Sequence, residues 1–356
     1  MKLQQYFFWL ASVTLTFYLL IVAKNVLIPL VLAVFIWYLV NVLTDFIDDI
    51  RIGSWQPSSG LAFTVAILAI LSVLTLLVGL VSNNIAQVVE AAPGYQRNLE
   101  RLLARGYSLL QIEEAPDLNT LFSNVSLSSV VSQTAGALTS FMGDAGLIAA
   151  YLFFLFVEEK FFPAKLKALI PDPERRARVA RILARIDKDT RTYIGIKTFV
   201  SLLAAGLCYA VLAFVGLDFA EFWALLIFIL HFIPNIGFLV ATALPSMLAL
   251  VQFETLNPFL IVTIGLLAVQ LGIANLLEPR LMGTSLNLSP LVIILALVVW
   301  GTLWGISGMF LCVPIMVIAL IIFSHFPQTR GVAVLLSADG QLKDHDPPAS
   351  APAPAS

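Results

Sequence analysis

Residues 160–197 read KFFPAKLKALIPDPERRARVARILARIDKDTRTYIGIK, and this stretch holds eleven of the chain's twenty Lys and Arg residues. Long runs of Leu, Val, Ile, Phe and Ala lie on both sides of it. Lys and Arg are retained on the cytoplasmic face when a protein is inserted into a membrane, so a basic cluster between apolar runs indicates a cytoplasmic loop. The pattern predicts an integral membrane protein and places this cluster in the cytoplasm.

The overall composition agrees with a membrane protein. Hydrophobic residues make up 60% of the chain and charged residues 12%, whereas soluble domains have about 25% charged residues. Residues 255–277 and 281–324 carry no formal charge, and apolar runs longer than about 18 residues are candidates to cross the hydrocarbon core. We therefore expect an all-α membrane protein with about eight membrane segments. The first, Tyr6–Ala23, is too long for a cleaved signal peptide and is expected to remain in place.

The alternation of spans and loops divides the chain into six predicted parts. They are N-terminal membrane helices at 1–81, an extracytoplasmic helical domain at 82–143, a membrane helix at 144–163, a cytoplasmic basic amphipathic linker at 164–197, a transport core at 198–326 and a disordered tail at 327–356. The end of the tail is rich in Pro, Ala and Ser, a composition that cannot bury apolar surface. Both termini are expected in the cytoplasm.

The linker is expected to contain a helix of its own, beginning at Pro173. Val179, Ile182, Leu183 and Ile186 form an apolar stripe along it, with Arg residues beside the stripe. Such a helix suits the surface of a membrane that contains anionic lipids. It suits packing against a neighbouring subunit equally well.

Two apolar segments of the core are too long and too irregular for simple spans. Phe219–Phe253 is interrupted by Pro234-Asn235-Ile236-Gly237, and Leu288–Phe323 is interrupted by Gly301, Gly305 and Gly308. A straight helix of about 36 residues would be about 54 Å long, against a hydrocarbon core of about 30 Å. Each segment is therefore expected to be a hairpin that enters the membrane, turns at its break and returns; the alternative is a long, kinked single crossing.

Broken apolar segments point to a transport site, because unwound backbone is tolerated at membrane depth only where it lines a cavity or meets protein. The alternative is that the breaks are kinks that pack against neighbouring helices. In the transport interpretation, the tips of the two hairpins meet near the solute path. The residues expected there are Pro234, Asn235, Gly237, Gly301, Gly305 and Gly308.

Two titratable residues lie in the first broken segment. His231 is a candidate proton relay, or else a neutral donor that holds a backbone carbonyl at the break. Glu221 suits the first turn of a helix, where a carboxylate faces the positive end of the helix dipole. It is also a candidate ion or proton site.

A second polar group closes the apolar run that follows. Its members are Gln270, Asn275, Glu278 and Arg280, and the first three fall near one helical face. They either coordinate a cation or a polar solute, or form an ordinary polar helix end at the membrane surface. Glu278 is the third candidate ion or proton site.

The inventory of reactive residues excludes an enzyme. The chain has three His residues, no Cys/His cluster with metal-ligand spacing, no converging Ser, His and acid, and no Walker A phosphate loop. We expect no catalytic residue, no metal ligand and no cofactor. The expected partners are a small-molecule or ionic substrate, membrane lipids and further copies of the chain, and no nucleic acid.

Three motifs resemble a known family. Residues 275–292 read NLLEPRLMGTSLNLSPLV, residues 300–309 read WGTLWGISGM and residues 232–237 read FIPNIG. They resemble the signature of the autoinducer-2 exporter family of permeases, in which the last motif usually reads Phe-Ile-Pro-Tyr-Val-Gly, so Asn235 and Ile236 are departures. The resemblance implies a bacterial or archaeal inner-membrane protein with about eight spans. Some members are linked to export of the quorum-sensing furanone, and others to sodium or lithium/proton antiport.

We therefore predict a secondary transporter, a permease or exporter of a small solute such as the autoinducer-2 signal. The second hypothesis is a sodium (or lithium)/proton antiporter, which usually needs an intramembrane carboxylate. Its candidates, Glu221, Glu254 and Glu278, lie near the ends of spans. The third hypothesis is a non-transporting scaffold or channel whose domain at 82–143 binds a partner.

Overall fold

The structure, a computed structural model, describes residues 2–49, 58, 60–73, 75–76, 79–80, 87, 94–95, 97–98, 101, 127–282 and 287–342. Within these ranges every regular element is a helix, and the one strand-like pairing is an isolated antiparallel bridge between Leu288 and Ser337. The helices there that are long and apolar enough to cross a membrane are Lys24–Asp48, Pro173–Val215, Leu256–Met282 and Pro290–His325. The predicted all-α membrane fold is confirmed.

The chain forms two compact units. The first consists of Met1–Pro163 and Ile194–Met282, and the second of Ala164–Tyr193 and Gly283–Ser356. One of the two broken apolar segments falls in each unit.

The N-terminal helices belong to the first unit. They are α1 (Lys2–Val22), α2 (Lys24–Asp48), α3 (Gly60–Val73) and α4 (Leu127–Glu159). The helix α2 packs on α4, where the indole nitrogen of Trp37 donates to Glu159 Oε2 at 3.2 Å. Phe63 and Phe156 make an edge-to-face contact with ring centroids 4.9 Å apart, which joins α3 to α4.

The extracytoplasmic domain predicted at 82–143 is described only in part. The helix α4 begins at Leu127, inside that range, and so is much longer than the helix predicted at 144–163. Residues 87, 94–95, 97–98 and 101 are also described. The rest of the predicted domain lies outside the described residues.

The basic linker and the span after it form one continuous helix. The short α5 (Phe162–Leu169) comes first, and α6 then runs from Pro173 to Val215. Asp172 caps α6 by accepting the Glu174 N–H at 3.1 Å, and Pro173 stands in the first turn, where its missing N–H needs no partner. The sequence predicted a linker helix separate from a span at Thr198. The two are joined because no Pro interrupts residues 174–215.

The rest of the first unit is built around the part of α6 from Ile194 onward. Following it are α7 (Ala220–Leu230), α8 (Ile236–Gln252), α9 (Leu256–Gly272), a π turn (Ile273–Leu277) and α10 (Glu278–Met282). On α6, Val200, Ala204, Cys208 and Leu212 are buried at every fourth position, and they share a core with residues of α7, α8 and α9. A Cβ added to Gly265 of α9 would lie 2.8 Å from Val211, so this crossing relies on a small residue, as helix contacts in membranes commonly do.

The helices α7 and α8 form the first hairpin. Gln252, the last residue of α8, closes its base: Oε1 accepts the Asp218 N–H at 2.8 Å, and Nε2 donates to the Gly216 carbonyl at 2.9 Å. Both ends of the segment therefore lie side by side. Near the tip, a Cβ on Gly237 would overlap the carbonyl oxygen of Leu230. The first predicted hairpin is confirmed.

The helix α11 (Pro290–His325) of the second unit also folds back on itself. Its start is tied to the chain beyond its end, since the Ser289 N–H donates to the Leu336 carbonyl at 2.9 Å. The roughly ten residues between Phe326 and Leu336 span at most about 36 Å, whereas a straight helix of this length would separate its ends by about 54 Å. The turn lies at Gly305, with φ 63° and ψ −141°, a conformation close to one that is essentially limited to Gly. The second predicted hairpin is confirmed.

The defined structure continues past the boundary predicted for a disordered tail at residue 327. The helix α12 (Arg330–Leu336) packs on α11, because its apolar sequence supplies a buried residue, Ala333. The Asn287 side chain then donates to the Gln341 carbonyl at 2.7 Å. Residues 343–356, where the Pro- and Ala-rich sequence lies, are outside the described residues.

The substitution Gly237→Ala should lower the stability of the protein by about 1–3 kcal/mol, because the added methyl group overlaps the backbone of Leu230. The matched control is Gly206→Ala in α6, whose Cβ would meet no atom within 4 Å. Thermal unfolding of the purified variants in detergent measures the difference. Equal melting temperatures would contradict the close approach of the two arms.

The substitution Gln252→Ala should also lower stability, by about 1–3 kcal/mol, because it removes both hydrogen bonds that close the base of the first hairpin. Glu254→Ala is the control, since its 2.7 Å ion pair with Arg101 is largely exposed and such pairs contribute about 0–1 kcal/mol. The same unfolding measurement applies. A larger effect for Glu254→Ala than for Gln252→Ala would show that the base is closed in another way.

Candidate functional site

Lys197 and Glu278 form an ion pair in the first unit. Nζ lies 2.6 Å from Oε1, and the two side chains are 8% and 21% exposed. Lys197 stands where the apolar part of α6 begins, and Glu278 follows the apolar α9. Charged groups at such places are costly to desolvate and are typical of functional sites in membrane proteins. We name this pair the polar centre, together with His231, which faces Glu278, and Gln270, whose side chain interacts with that of His231.

The π turn orients Glu278 toward the polar centre. In a regular α-helix, two residues eight positions apart differ by roughly 80° around the axis. A π turn holds one extra residue, so Ile273–Leu277 removes most of that offset between Gln270 and Glu278. Asn275 lies within the turn and is exposed. The turn thus places the amide and the carboxylate on nearly the same face.

His231 is the residue that caps the end of α7, at the tip of the first hairpin. Its Nε2 lies 3.8 Å from Glu278 Oε2, and its side chain is 5% exposed. That distance is too long for a hydrogen bond, and Nε2 has no hydrogen-bond partner in the described part of the chain. The structure therefore does not give this nitrogen a backbone carbonyl at the break. Instead, one carboxylate faces Lys197 through one oxygen and His231 through the other.

Other buried polar groups of the same unit also lack partners among the described residues. They include both amide atoms of Gln270, which is 1% exposed, and the hydroxyl groups of Ser201, Thr242 and Ser246. Ser201 lies one turn from Lys197 on α6, and Thr242 lies one turn from Ser246 on α8. A buried polar group without a partner costs about 1–3 kcal/mol. In folded proteins, water or a bound solute commonly satisfies such groups.

The tip of the first hairpin has strained backbone. Asn235 has φ 57° and ψ −53°, and the Ile236 N–H donates to the Pro234 carbonyl at 2.6 Å. This is a γ-turn with positive φ, a form that is rare and strained. Strain of this kind collects at active sites and switch regions, so the tip is a candidate moving part.

The base of the first hairpin carries a different set of polar contacts. Three of them fasten residues of the 82–143 region to it: Tyr95 OH to Asp218 Oδ2 at 2.7 Å, Asn98 Nδ2 to the Gln252 carbonyl at 2.9 Å, and Arg101 Nη1 to Glu254 Oε1 at 2.7 Å. Burial and the hydrogen bond to Asp218 raise the pKa of Tyr95, so its hydroxyl remains a donor. The base is thus held by protein contacts, while the tip faces the polar centre.

The structure brings some of the sequence candidates together. His231, Gln270 and Glu278 belong to the polar centre. Pro234, Asn235 and Gly237 form the tip of the same hairpin.

Other candidates lie elsewhere. Glu221 accepts a hydrogen bond from Tyr209 at 3.3 Å in the first turn of α7, about 15 Å along the helix from His231. Arg280, like Asn275, is exposed. The remaining candidates form the turn of the second hairpin, in the other compact unit: Gly301, Gly305 and Gly308.

Lys197 is the candidate that the sequence analysis missed. It ends the basic stretch at 160–197, so its charge was assigned to the cytoplasmic cluster. Its position in the sequence could have identified it. Lys197 precedes Ser201 by four residues and Ala204 by seven, and both of these residues belong to the buried face of α6. Helical spacing from the apolar run would have placed Lys197 on that face.

Comparison with known proteins identifies the family of the chain. Residues 7–328 match the model of the AI-2E family transporter. The AI-2 transport protein TqsA of Escherichia coli is 30% identical over 326 residues, which cover 88% of this chain and 90% of TqsA. YhhT of Escherichia coli is 29% identical over 82% of each chain, and a Haemophilus influenzae protein is 30% identical over 90% of this chain and 92% of its own; both are named provisionally as transport proteins. The chain is a multi-pass membrane protein that belongs to the AI-2E family of transporters.

Proposed function

We propose that this transporter is a secondary exporter of a small polar solute, with AI-2 as the first solute to test. The observation that carries the proposal is the tip of the first hairpin, where unwound backbone stands next to the polar centre. Unwound backbone at membrane depth lines solute paths in many transporters. The polar centre offers donors and acceptors in an otherwise apolar unit. The similarity to the AI-2 transport protein TqsA supports AI-2 as the solute.

A sodium (or lithium)/proton antiporter is the second candidate. Glu278 favours it, because its carboxylate lies in the polar centre with Oε2 facing His231. The 2.6 Å contact with Lys197 argues against a bound metal cation, because the ammonium group already neutralises the carboxylate and would repel the ion. Export of a small solute therefore ranks first.

We also propose how the chain sits in the bacterial inner membrane. With the basic cluster in the cytoplasm, the apolar part of α6 crosses outward, and the base of the first hairpin faces the periplasm. The helix α9 then crosses inward, which brings Glu278 and the C-terminus to the cytoplasmic side, and the N-terminus lies on that side as well. Lipids and further copies of the chain would cover the many large apolar side chains that are exposed on the isolated chain.

Everted membrane vesicles that contain the protein should accumulate labelled AI-2, and vesicles without it should not. Gly237→Leu and Gly305→Leu should abolish accumulation at unchanged membrane levels, because both hairpin turns require Gly. Gly206→Leu is the control, since its added Cβ would meet nothing within 4 Å. Sodium/proton exchange without AI-2 transport in the same vesicles would move the antiporter to first place.

Labelling in whole cells tests the orientation. A cysteine at Thr255, which is exposed beside the base of the first hairpin, should react with an impermeant thiol reagent from the periplasm. A cysteine at Glu174, in the first turn of α6, should react only after permeabilisation. The native Cys208 and Cys312 are buried and should contribute little background. The reverse pattern of labelling would overturn the orientation.

A further inference from the structure

The carboxylate of Glu278 faces two basic side chains, one through each of its oxygen atoms. Its Oε1 is held by Lys197 at 2.6 Å, and its Oε2 faces His231 Nε2 at 3.8 Å. Each base comes from a different element: Lys197 from α6, and His231 from the tip of the hairpin. One negative charge is therefore available to two groups that can each carry a positive charge.

The surroundings of the His231 ring contain few other charges. The helices α8 and α9 and the π turn between α9 and α10 have no titratable side chain, and Gln270 of α9 contributes only a neutral amide. The sole acid of α7, Glu221, lies at the other end of that helix. The helix α2 packs nearby, with the ring of its Phe35 at 5.8 Å from the ring of Phe232. Among the titratable residues of α2, Tyr38 is the nearest to Phe35 in sequence. The other charged residue of α10, Arg280, is exposed, so Lys197 and Glu278 dominate the charge around the ring.

We infer that Lys197, Glu278 and His231 form a proton-binding centre that couples solute export to the inward movement of protons. This inference rests on the proposed function. With the ring neutral and its proton on Nδ1, the lone pair of Nε2 would face the carboxylate across 3.8 Å. A proton taken from water adds to this lone pair, and the same proton is later released to water on the other side.

Protonation of the ring changes the contacts of the centre. A protonated Nε2 donates to Glu278 Oε2, and such charge-assisted bonds are about 2.7–2.9 Å long. The tip of the hairpin therefore moves by roughly 1 Å toward α10. Glu278 is then shared, which weakens its bond to Lys197 and leaves a buried ammonium group less well compensated. Gln270 can stabilise either state of the ring, because an amide both donates and accepts hydrogen bonds.

The hairpin is suited to respond to this change. Its base is closed by Gln252 through two hydrogen bonds, whereas its tip carries the strained γ-turn at Asn235. A small shift at the tip is thus absorbed where the backbone is already strained. Binding and release of a proton at His231 would switch the tip between two positions. Secondary transport requires an element that can adopt two such positions.

The test uses purified protein in sodium-free proteoliposomes, with labelled AI-2 as the probe. An acidic lumen should drive accumulation of external AI-2 at least tenfold above the level at equal pH, and a lumenal dye should report proton efflux with uptake. His231→Gln leaves the ion pair intact, and AI-2 uptake in this variant should be the same with an acidic lumen as at equal pH, without proton efflux. The double variant Lys197→Met/Glu278→Gln leaves no buried charge unpaired and should show the same loss of response to the pH gradient.

Two variants serve as matched controls. His325→Gln and Glu254→Gln make the same chemical changes outside the polar centre and should keep the tenfold accumulation. Equal AI-2 uptake with and without a pH gradient, or uptake driven by a sodium gradient at equal pH, would overturn the proton centre while leaving AI-2 transport in place. Accumulation of AI-2 driven by the pH gradient in His231→Gln would also overturn the proton centre. Absence of AI-2 exchange in the unaltered protein would instead overturn the proposed function.

Discussion

Backbone polar groups at membrane depth must find their partners within the protein, and the first hairpin is arranged around that constraint. As α7 ends, the N–H groups of Phe232 and Ile233 donate to the carbonyls of Ile229 and Leu230 in tight turns. Pro234 has no N–H to satisfy, and Ile236 is served by the γ-turn at Asn235. The tip can therefore leave helical geometry inside an apolar unit, which is what allows a titratable side chain to stand there.

The polar centre depends on a balance of charge. Lys197 and Glu278 neutralise each other, and removing one partner of a buried pair typically costs about 3–5 kcal/mol, whereas an apolar replacement of both can be neutral. Stability alone therefore gives little reason for the ion pair to be present, whereas a functional role gives a reason. The burial of Gln270 and His231 in this centre points the same way, because polar side chains within the apolar segments of membrane proteins are costly and typical of functional sites.

The hairpins could be predicted from sequence because length and breaks are local properties. A segment of about 36 apolar residues is too long for one crossing, and Gly305 marks where the second one turns. The continuous α6 was not predicted, since a change from basic to apolar sequence at Thr198 resembles a boundary although nothing there breaks a helix. The helix at Arg330–Leu336 was missed because the tail was judged by the composition of its end.

The sequence by itself determined the membrane class, the two hairpins and the family motifs, because these follow from hydropathy, residue order and chain length. It also identified His231, Gln270 and Glu278 as candidates, since polar residues in apolar runs are conspicuous. Only the tertiary structure decided that these three meet each other and Lys197. Their side chains converge through the fold of the hairpin tip onto α6 and through the π turn before α10. Such contacts join residues up to 81 positions apart, and no local pattern specifies them.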